Sequence, residues 1–319
     1  DHHFFRAMAL LLLGCVSLAA SPALNATGLN ATALLRLMRR DMPTGAEVSE
    51  RAKLLSSSLV EASGQKILVV GDSWGTVTAA GSAAGLSFFE RTLAKHQCDA
   101  KSVSIAVPGT ESTDWDSGEF LTALKLGAKA ADYVWIILMG NDALDRMPDC
   151  AETGKSAGAC ADELYAAMLT NMGKIVDEVH AANSAVKVVG FGYDTMFGGL
   201  GCGLVTRSLF PQCYKIGGGG NRCFNTQFLH IQAVWDELAS TRPWVHNASI
   251  LGATQVAAGD AKAGTGADRH IDMDKMGPAK YWPDYEGCFH PGVLGGDNSG
   301  AMIVMEEFYR VFWAEQLGC

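Results

Sequence analysis

At 319 residues, with a formal net charge of −9 at pH 7 and a pI near 5.4, the chain has no Lys/Arg run longer than the pair Arg39-Arg40. It therefore lacks the basic footprint that a nucleic-acid partner requires. Hydrophobic residues at 48% and charged residues at 18% exclude a disordered chain and fit one large domain with extensions.

Residues 1–20 read as a signal peptide: His2, His3 and Arg6 precede an apolar stretch from Met8 to Ala20, and Pro22 follows. The apolar stretch, about 13 residues, is too short to cross a hydrocarbon core of about 30 Å as a helix. Cleavage is expected between Ala19 and Ala23, leaving no stable membrane span, and because the chain begins at Asp1 a start further upstream is expected. Losing the leader removes Cys15 and leaves an even set of cysteines: Cys98, Cys150, Cys160, Cys202, Cys213, Cys223, Cys288 and Cys319. No C-x2-C pair occurs among them, so disulfides rather than zinc are expected. Sequons at Asn25, Asn30 and Asn247 agree with a glycosylated protein that is secreted or held in the secretory lumen.

Residues 21–63 form an Ala/Leu-rich extension with a helical period at Ala46 to Val60, and residues 64–319 form the main domain. Within that domain a buried strand is expected at Lys66 to Val70, a helix from Thr76 to Lys95 and a strand from Ser102 to Val107. A helix follows at Gly118 to Ala130, then a strand at Tyr133 to Met139. Leu164, Met168, Met172, Ile175 and Val179 recur at helical spacing and build one apolar face on a helix from Ala161 to Ala182. A strand at Val186 to Phe191, a helix at Phe224 to Ala239, a strand at Trp244 to Leu251 and a closing helix at Ala301 to Leu317 complete the order. Strands separated by helices imply a parallel sheet covered on both faces, with any site at the carboxyl ends of the strands. Two long connections, Asp194 to Arg222 and Gly252 to Phe289, interrupt the rhythm; the first holds Cys202, Cys213 and Cys223 and is expected to be stapled.

Four short segments carry chemistry. Gly71-Asp72-Ser73-Trp74 puts a serine just past a buried strand and at the start of a helix, where a hydroxyl is exposed and backbone N–H groups face developing negative charge. Serine at such a place also serves simply as a helix cap. Gly109 in Ala-Val-Pro-Gly-Thr-Glu suits a turn with positive φ or a close backbone approach. Asn141 in Gly-Asn-Asp follows a hydrophobic strand, as a turn residue or as an amide donor into the same cleft. His290, beside Cys288 and Pro291, sits in a loop before the closing helix, whereas His96, His180 and His230 fall on or near helices.

In this order and spacing the four segments resemble the blocks of the SGNH hydrolases, the GDSL-like lipases and esterases, here of a secreted eukaryotic type, from Lys66 to the C-terminus. The resemblance implies a three-layer α/β/α sandwich, flavodoxin-like, with a mostly parallel sheet. It also implies that Ser73 is the nucleophile and an oxyanion donor through its N–H, that Gly109 N–H and the Asn141 amide are further donors, and that His290 is the base. The chain would then be a carboxylic ester hydrolase acting on a small-molecule or lipid ester through an acyl-enzyme, with no cofactor and no metal.

One position departs from the pattern. The family carries an aspartate three residues before the histidine, where Gly287 stands here; Asp284 and Glu286 are the nearest acids, with Asp284 preferred as the residue orienting His290. The departure keeps two other readings open: an SGNH-fold binding or structural protein with impaired catalysis, and an acyltransferase using the same Ser-His pair. Asp272, Asp274 and His270 suggest a metal, but Met276 and Pro283 occupy positions where a calcium loop needs ligands.

Overall fold

A computed structural model describes residues 42–79, 87–195, 220–259, 271–275, 277–282, 290–292 and 296–319. Five strands form one sheet: β1 (Gln65–Gly71), β2 (Ala100–Ser104), β3 (Tyr133–Ile137), β4 (Lys187–Phe191) and β5 (Val245–Ala248). Their order is β2-β1-β3-β4-β5 and every pair is parallel, so all five carboxyl ends lie along one edge. Continuous apolar strands such as Tyr-Val-Trp-Ile-Ile of β3, buried throughout, are what a sheet covered on both faces requires.

The helices are α1 (Gly45–Val60), α2 (Ser73–Ala79), α3 (Phe88–Lys95), α4 (Ser112–Trp115), α5 (Gly118–Ala128), α6 (Gly140–Glu152), α7 (Ala157–Ala182), α8 (Gly220–Thr241), α9 (Ala253–Ala257) and α10 (Gly300–Phe308). A π turn at Tyr309–Trp313 and α11 (Ala314–Leu317) complete the chain. On one face Trp135 of β3 packs against Phe89 of α3, Phe308 of α10 and Trp313. On the other, Leu68 of β1 meets Gly127 of α5, and Trp235 of α8 lies over Gly190 of β4, where a Cβ would come within 2.3 Å of the indole. The α/β/α sandwich with a parallel sheet is therefore as the sequence implied.

The single helix expected from Thr76 to Lys95 is divided. Ser87 is extended, at φ −66° and ψ 161°, and caps α3 through a capping box with Glu90. Helix α1 joins the same core: Val48, Ala52 and Leu59 are buried, Ser49 Oγ donates to Glu119 O on α5, and Thr44 and Glu47 close a capping box at its start.

Two disulfides are formed, Cys98–Cys319 and Cys150–Cys160. Cys223 is also disulfide-bonded; Cys202, Cys213 and Cys288 lie outside the described residues. Asn247 lies in β5 with its amide donating to Asp236 at 2.6 Å, while Asn25 and Asn30 fall outside the described residues. Among the described residues no helix is long and apolar enough to cross a membrane.

Candidate active site

The two strands that flank β1 bring the first three sequence segments to one rim. Beyond the regular ladders the backbone continues to pair, with Val107 N–H donating to Gly71 O at 2.8 Å and Asp72 N–H to Ile137 O at 2.9 Å. Ser73 is thus the first residue past the paired end of the middle strand, and Gly109 and Asn141 lie just past the ends on either side. Gly71 has φ 150°, and a Cβ there would sit 2.0 Å from Ile137 O, so only glycine permits this close exit from the sheet. Ser73, Gly109, Asn141 and His290 are each partly exposed, while Asp72, Trp74, Thr110, Asp142 and Pro291 beside them are buried. Each of the four candidates therefore stays partly open to solvent next to a buried neighbour.

Gly109 has φ 82°, the left-handed geometry its turn requires. The following Thr110 is a buried hub: its Oγ1 donates toward Val107 O at 2.9 Å and accepts the Trp115 indole N–H at 2.9 Å. Asn141 Nδ2 donates to Thr110 O at 2.9 Å, which joins the turn after β2 to the start of α6 after β3. An amide nitrogen carries two hydrogens, so one remains beyond that bond. Asn141 stands in the first turn of α6 rather than in a free turn. The preceding Met139 is buried with φ 92°, a conformation that costs a non-glycine residue about 1–3 kcal/mol and is typical of functional sites. Asp142, the third member of Gly-Asn-Asp, accepts the Ser112 N–H at 2.9 Å and its Oγ–H at 2.5 Å, and so clamps α4 to α6. Burial pushes its carboxyl up.

Asp72, to which the sequence alone assigns no role, is buried between these segments. Its Oδ1 accepts the Trp74 N–H at 2.8 Å and its Oδ2 accepts the Tyr193 hydroxyl at 2.5 Å. Burial raises its carboxyl to about 7, and burial likewise pushes the Tyr193 phenol well above its ordinary value, so Tyr193 is the donor. The Trp74 ring meets Tyr193 edge-on at 5.1 Å and Trp282 at 5.6 Å. Asp194, next in sequence to Tyr193, accepts four hydrogen bonds, from the N–H groups of Thr195, Gly252 and Thr254 and from Thr254 Oγ1. The signal for both residues was their position at the carboxyl end of the fourth strand, the same signal that marked Ser73.

His290 keeps part of its surface in solvent, but its Nε2 is shielded and has no hydrogen-bond partner among the described residues. Burial lowers the imidazole to about 4, so the ring is neutral at neutral pH. The segment after it is anchored: Gly292 N–H donates to Tyr281 O at 2.8 Å, and Ala301 N–H in α10 donates to Gly292 O at 3.0 Å. Helix α10 packs on α2, the helix that Ser73 begins. Asp284, Glu286 and Gly287 lie outside the described residues, as does His270. Asp274 is held bidentately by Arg222, and Asp272 lies 3.8 Å from Lys275. Among the described residues no group of His, Cys, Asp or Glu is arranged to hold a metal.

No protein-family model matches the sequence, and no curated protein matches it. Solved structures do match the fold. A protein from Streptococcus pneumonia named for platelet activating factor is 13% identical, with 88% of this chain and 99% of that chain covered at a TM-score of 0.51. An extracellular lipase from Streptomyces rimosus is 17% identical, covering 76% of this chain and 100% of that one at a TM-score of 0.46. A lipase from a goat rumen metagenome is 15% identical, over 78% and 98% of the two chains at 0.46. The likeness is one of fold, an α/β/α sandwich around a parallel sheet.

Proposed function

We propose that the chain is a serine ester hydrolase in which Ser73 is the nucleophile, His290 the general base, and the N–H groups of Ser73 and Gly109 with the Asn141 amide the oxyanion donors. The observation that carries the reading is the Asn141 to Thr110 hydrogen bond, which ties the donor-bearing turns on both sides of Ser73 into one rim. His290, neutral at working pH, takes the Ser73 hydroxyl proton as Oγ bonds to the ester carbonyl carbon. The tetrahedral oxyanion forms among the three donors, the C–O bond to the leaving alcohol breaks, and the imidazolium returns its proton to that alcohol. Water then repeats the sequence on the acyl-enzyme, with His290 again the base.

The unpartnered Nε2 of His290 supports this role, since a buried ring nitrogen without a partner costs about 1–3 kcal/mol and is retained where a reaction uses it. Asp284 is proposed to orient the ring. Three disulfide-bonded sites, at Cys98–Cys319, Cys150–Cys160 and Cys223, favour an oxidising compartment, in keeping with the leader expected from the sequence at residues 1–20 and with the sequons. The decisive experiment is labelling with a fluorophosphonate probe. Native protein is expected to label, and Ser73→Ala and His290→Ala are expected not to. Labelling that survives Ser73→Ala in folded protein overturns the assignment, and p-nitrophenyl esters of graded chain length then define the acyl preference.

A further inference from the structure

We propose that Tyr193 and Asp194, adjacent at the end of β4, are the frame that holds Ser73 and His290 in register, with Tyr193 acting as a positioning residue for Ser73 through Asp72. The inference rests on the reading of Ser73 and His290 as the reacting pair.

One arm of the frame runs to the nucleophile. Tyr193 Oη holds Oδ2 of Asp72, which leaves Oδ1 on the Trp74 N–H, one residue beyond Ser73. A carboxylate held at both oxygens fixes its own rotamer, and with it the backbone turn that aims the Ser73 N–H and presents its hydroxyl. The tyrosine ring has a place built for it. A Cβ on Gly140 would stand 2.8 Å from Tyr193 Cζ and 3.0 Å from its Oη, so the glycine of Gly-Asn-Asp makes room for this phenol.

The other arm runs to the base. Asp194 accepts the Thr254 Oγ1 hydrogen at 2.6 Å and its N–H at 2.9 Å, and Thr254 Oγ1 in turn accepts the Trp282 indole N–H at 3.1 Å. Tyr281, beside Trp282, accepts the Gly292 N–H, two residues from His290. The arms close on each other because the Trp74 ring lies against both Tyr193 and Trp282. Two adjacent side chains of one rigid strand end thereby control both reacting segments.

The test uses the full chain and Tyr193→Phe, which keeps the ring and removes the one hydroxyl. Fluorophosphonate labelling rate and kcat are expected to fall by about tenfold to a hundredfold, as displacement of a reacting group does, while KM stays within about twofold. A change confined to stability would not split kcat from KM in this way. Asp72→Asn and the double variant Asp72→Asn/Tyr193→Phe supply the second measurement: residues acting as one unit give a double variant no slower than the slower single. On the Asp194 arm, Thr254→Val is expected to slow labelling and Thr254→Ser to restore it. If native protein labels and Tyr193→Phe labels at the native rate, or if the Asp72 and Tyr193 effects multiply, the frame is wrong and the hydrolase reading stands. If native protein does not label at all, both fall together.

Discussion

Asn141 on the first turn of α6 donates its amide to the carbonyl of Thr110 at 2.9 Å, across the end of β1, the strand that leads into Ser73. The bond makes the glycine turn and the asparagine one unit, so the two proposed outer oxyanion donors move together or not at all.

Asn141→Ala is accordingly expected to lower the acylation rate by about 10² to 10³, the usual effect of losing one preorganised donor. Asn141→Asp should do at least as much harm, because a carboxylate cannot donate to Thr110 O and would face the developing oxyanion. KM should move far less than kcat in both. Stopped-flow acylation with an activated ester measures this, and a loss confined to KM would remove Asn141 from the transition state.

Two groups of the proposed site contribute pH dependences of opposite sign. His290 falls from 6.5 to about 4 on folding, so the folded chain resists protonation there, and stability present above 6.5 is lost as pH falls through 4. Asp72 rises from 3.8 to about 7, so the stability it contributes below 3.8 is lost as pH rises through 7. Between about pH 4 and 6.5 the two slopes oppose each other in the native protein. Asp72→Asn removes the opposing Asp72 slope, so its stability should rise with pH across that window by about 1 kcal/mol per unit more than native. Urea unfolding at a series of pH values reads this directly. The acid limb of kcat/KM, which reports the free base, should lie well below the 6.5 of an ordinary histidine, near 4. A limb near 6.5 would mean that another group is the base.

The sheet and its covering helices were legible because parallel strands must be apolar on both faces, and Lys-Ile-Leu-Val-Val and Tyr-Val-Trp-Ile-Ile have no other use. Ser73, Gly109 and Asn141 were legible as strand-end residues, and the structure puts them on one rim. What sequence could not give was their fastening. Helix α6 begins with Gly140, Asn141 and Asp142 and contains Pro148, all poor helix formers, so its start looked like a turn. The extended Ser87 was hidden because the apolar run on both sides continues a helical period. Tyr193 and Asp194 act on residues far away in sequence, and pairing of that kind has no local signature. Asp284 lies outside the described residues, so its part rests on the sequence alone.

The glycines at the rim differ in what a methyl group would meet, and that ranks their substitution. Gly71→Ala puts Cβ 2.0 Å from a backbone oxygen at φ 150°, and neither can give way, so the variant is expected to lose more than about 4 kcal/mol or fail to fold. Gly140→Ala presses on the Tyr193 ring at 2.8 Å, which can shift, and should cost about 1–3 kcal/mol. It should also slow labelling, by moving Tyr193. Gly118→Ala, at φ 65° with nothing within 4 Å, is the control and should cost only about 1–2 kcal/mol with full activity. Unfolding midpoints and labelling rates on the three variants test the order; equal activity in the Gly140 and Gly118 variants would separate Tyr193 from the reaction.

The two described disulfides close loops of very different size, and their removal should separate accordingly. Cys98–Cys319 spans 221 residues and fastens the C-terminus, after the π turn, to the end of α3; Cys150–Cys160 spans 10 and joins the end of α6 to the start of α7. If loop-closure entropy of the unfolded chain dominates, the long bridge contributes about 5 kcal/mol and the short one about 3 kcal/mol. Cys98→Ser/Cys319→Ser should therefore lower the unfolding midpoint more than Cys150→Ser/Cys160→Ser. The activity should divide the other way. The long bridge sits beside Tyr309 and α10, far from the rim, whereas α6 begins with the Gly140-Asn141 pair, so loosening its end has the shorter path to the donors. A short-bridge variant with lower stability than the long-bridge variant would show that native packing around α6, and not the unfolded chain, sets the contribution.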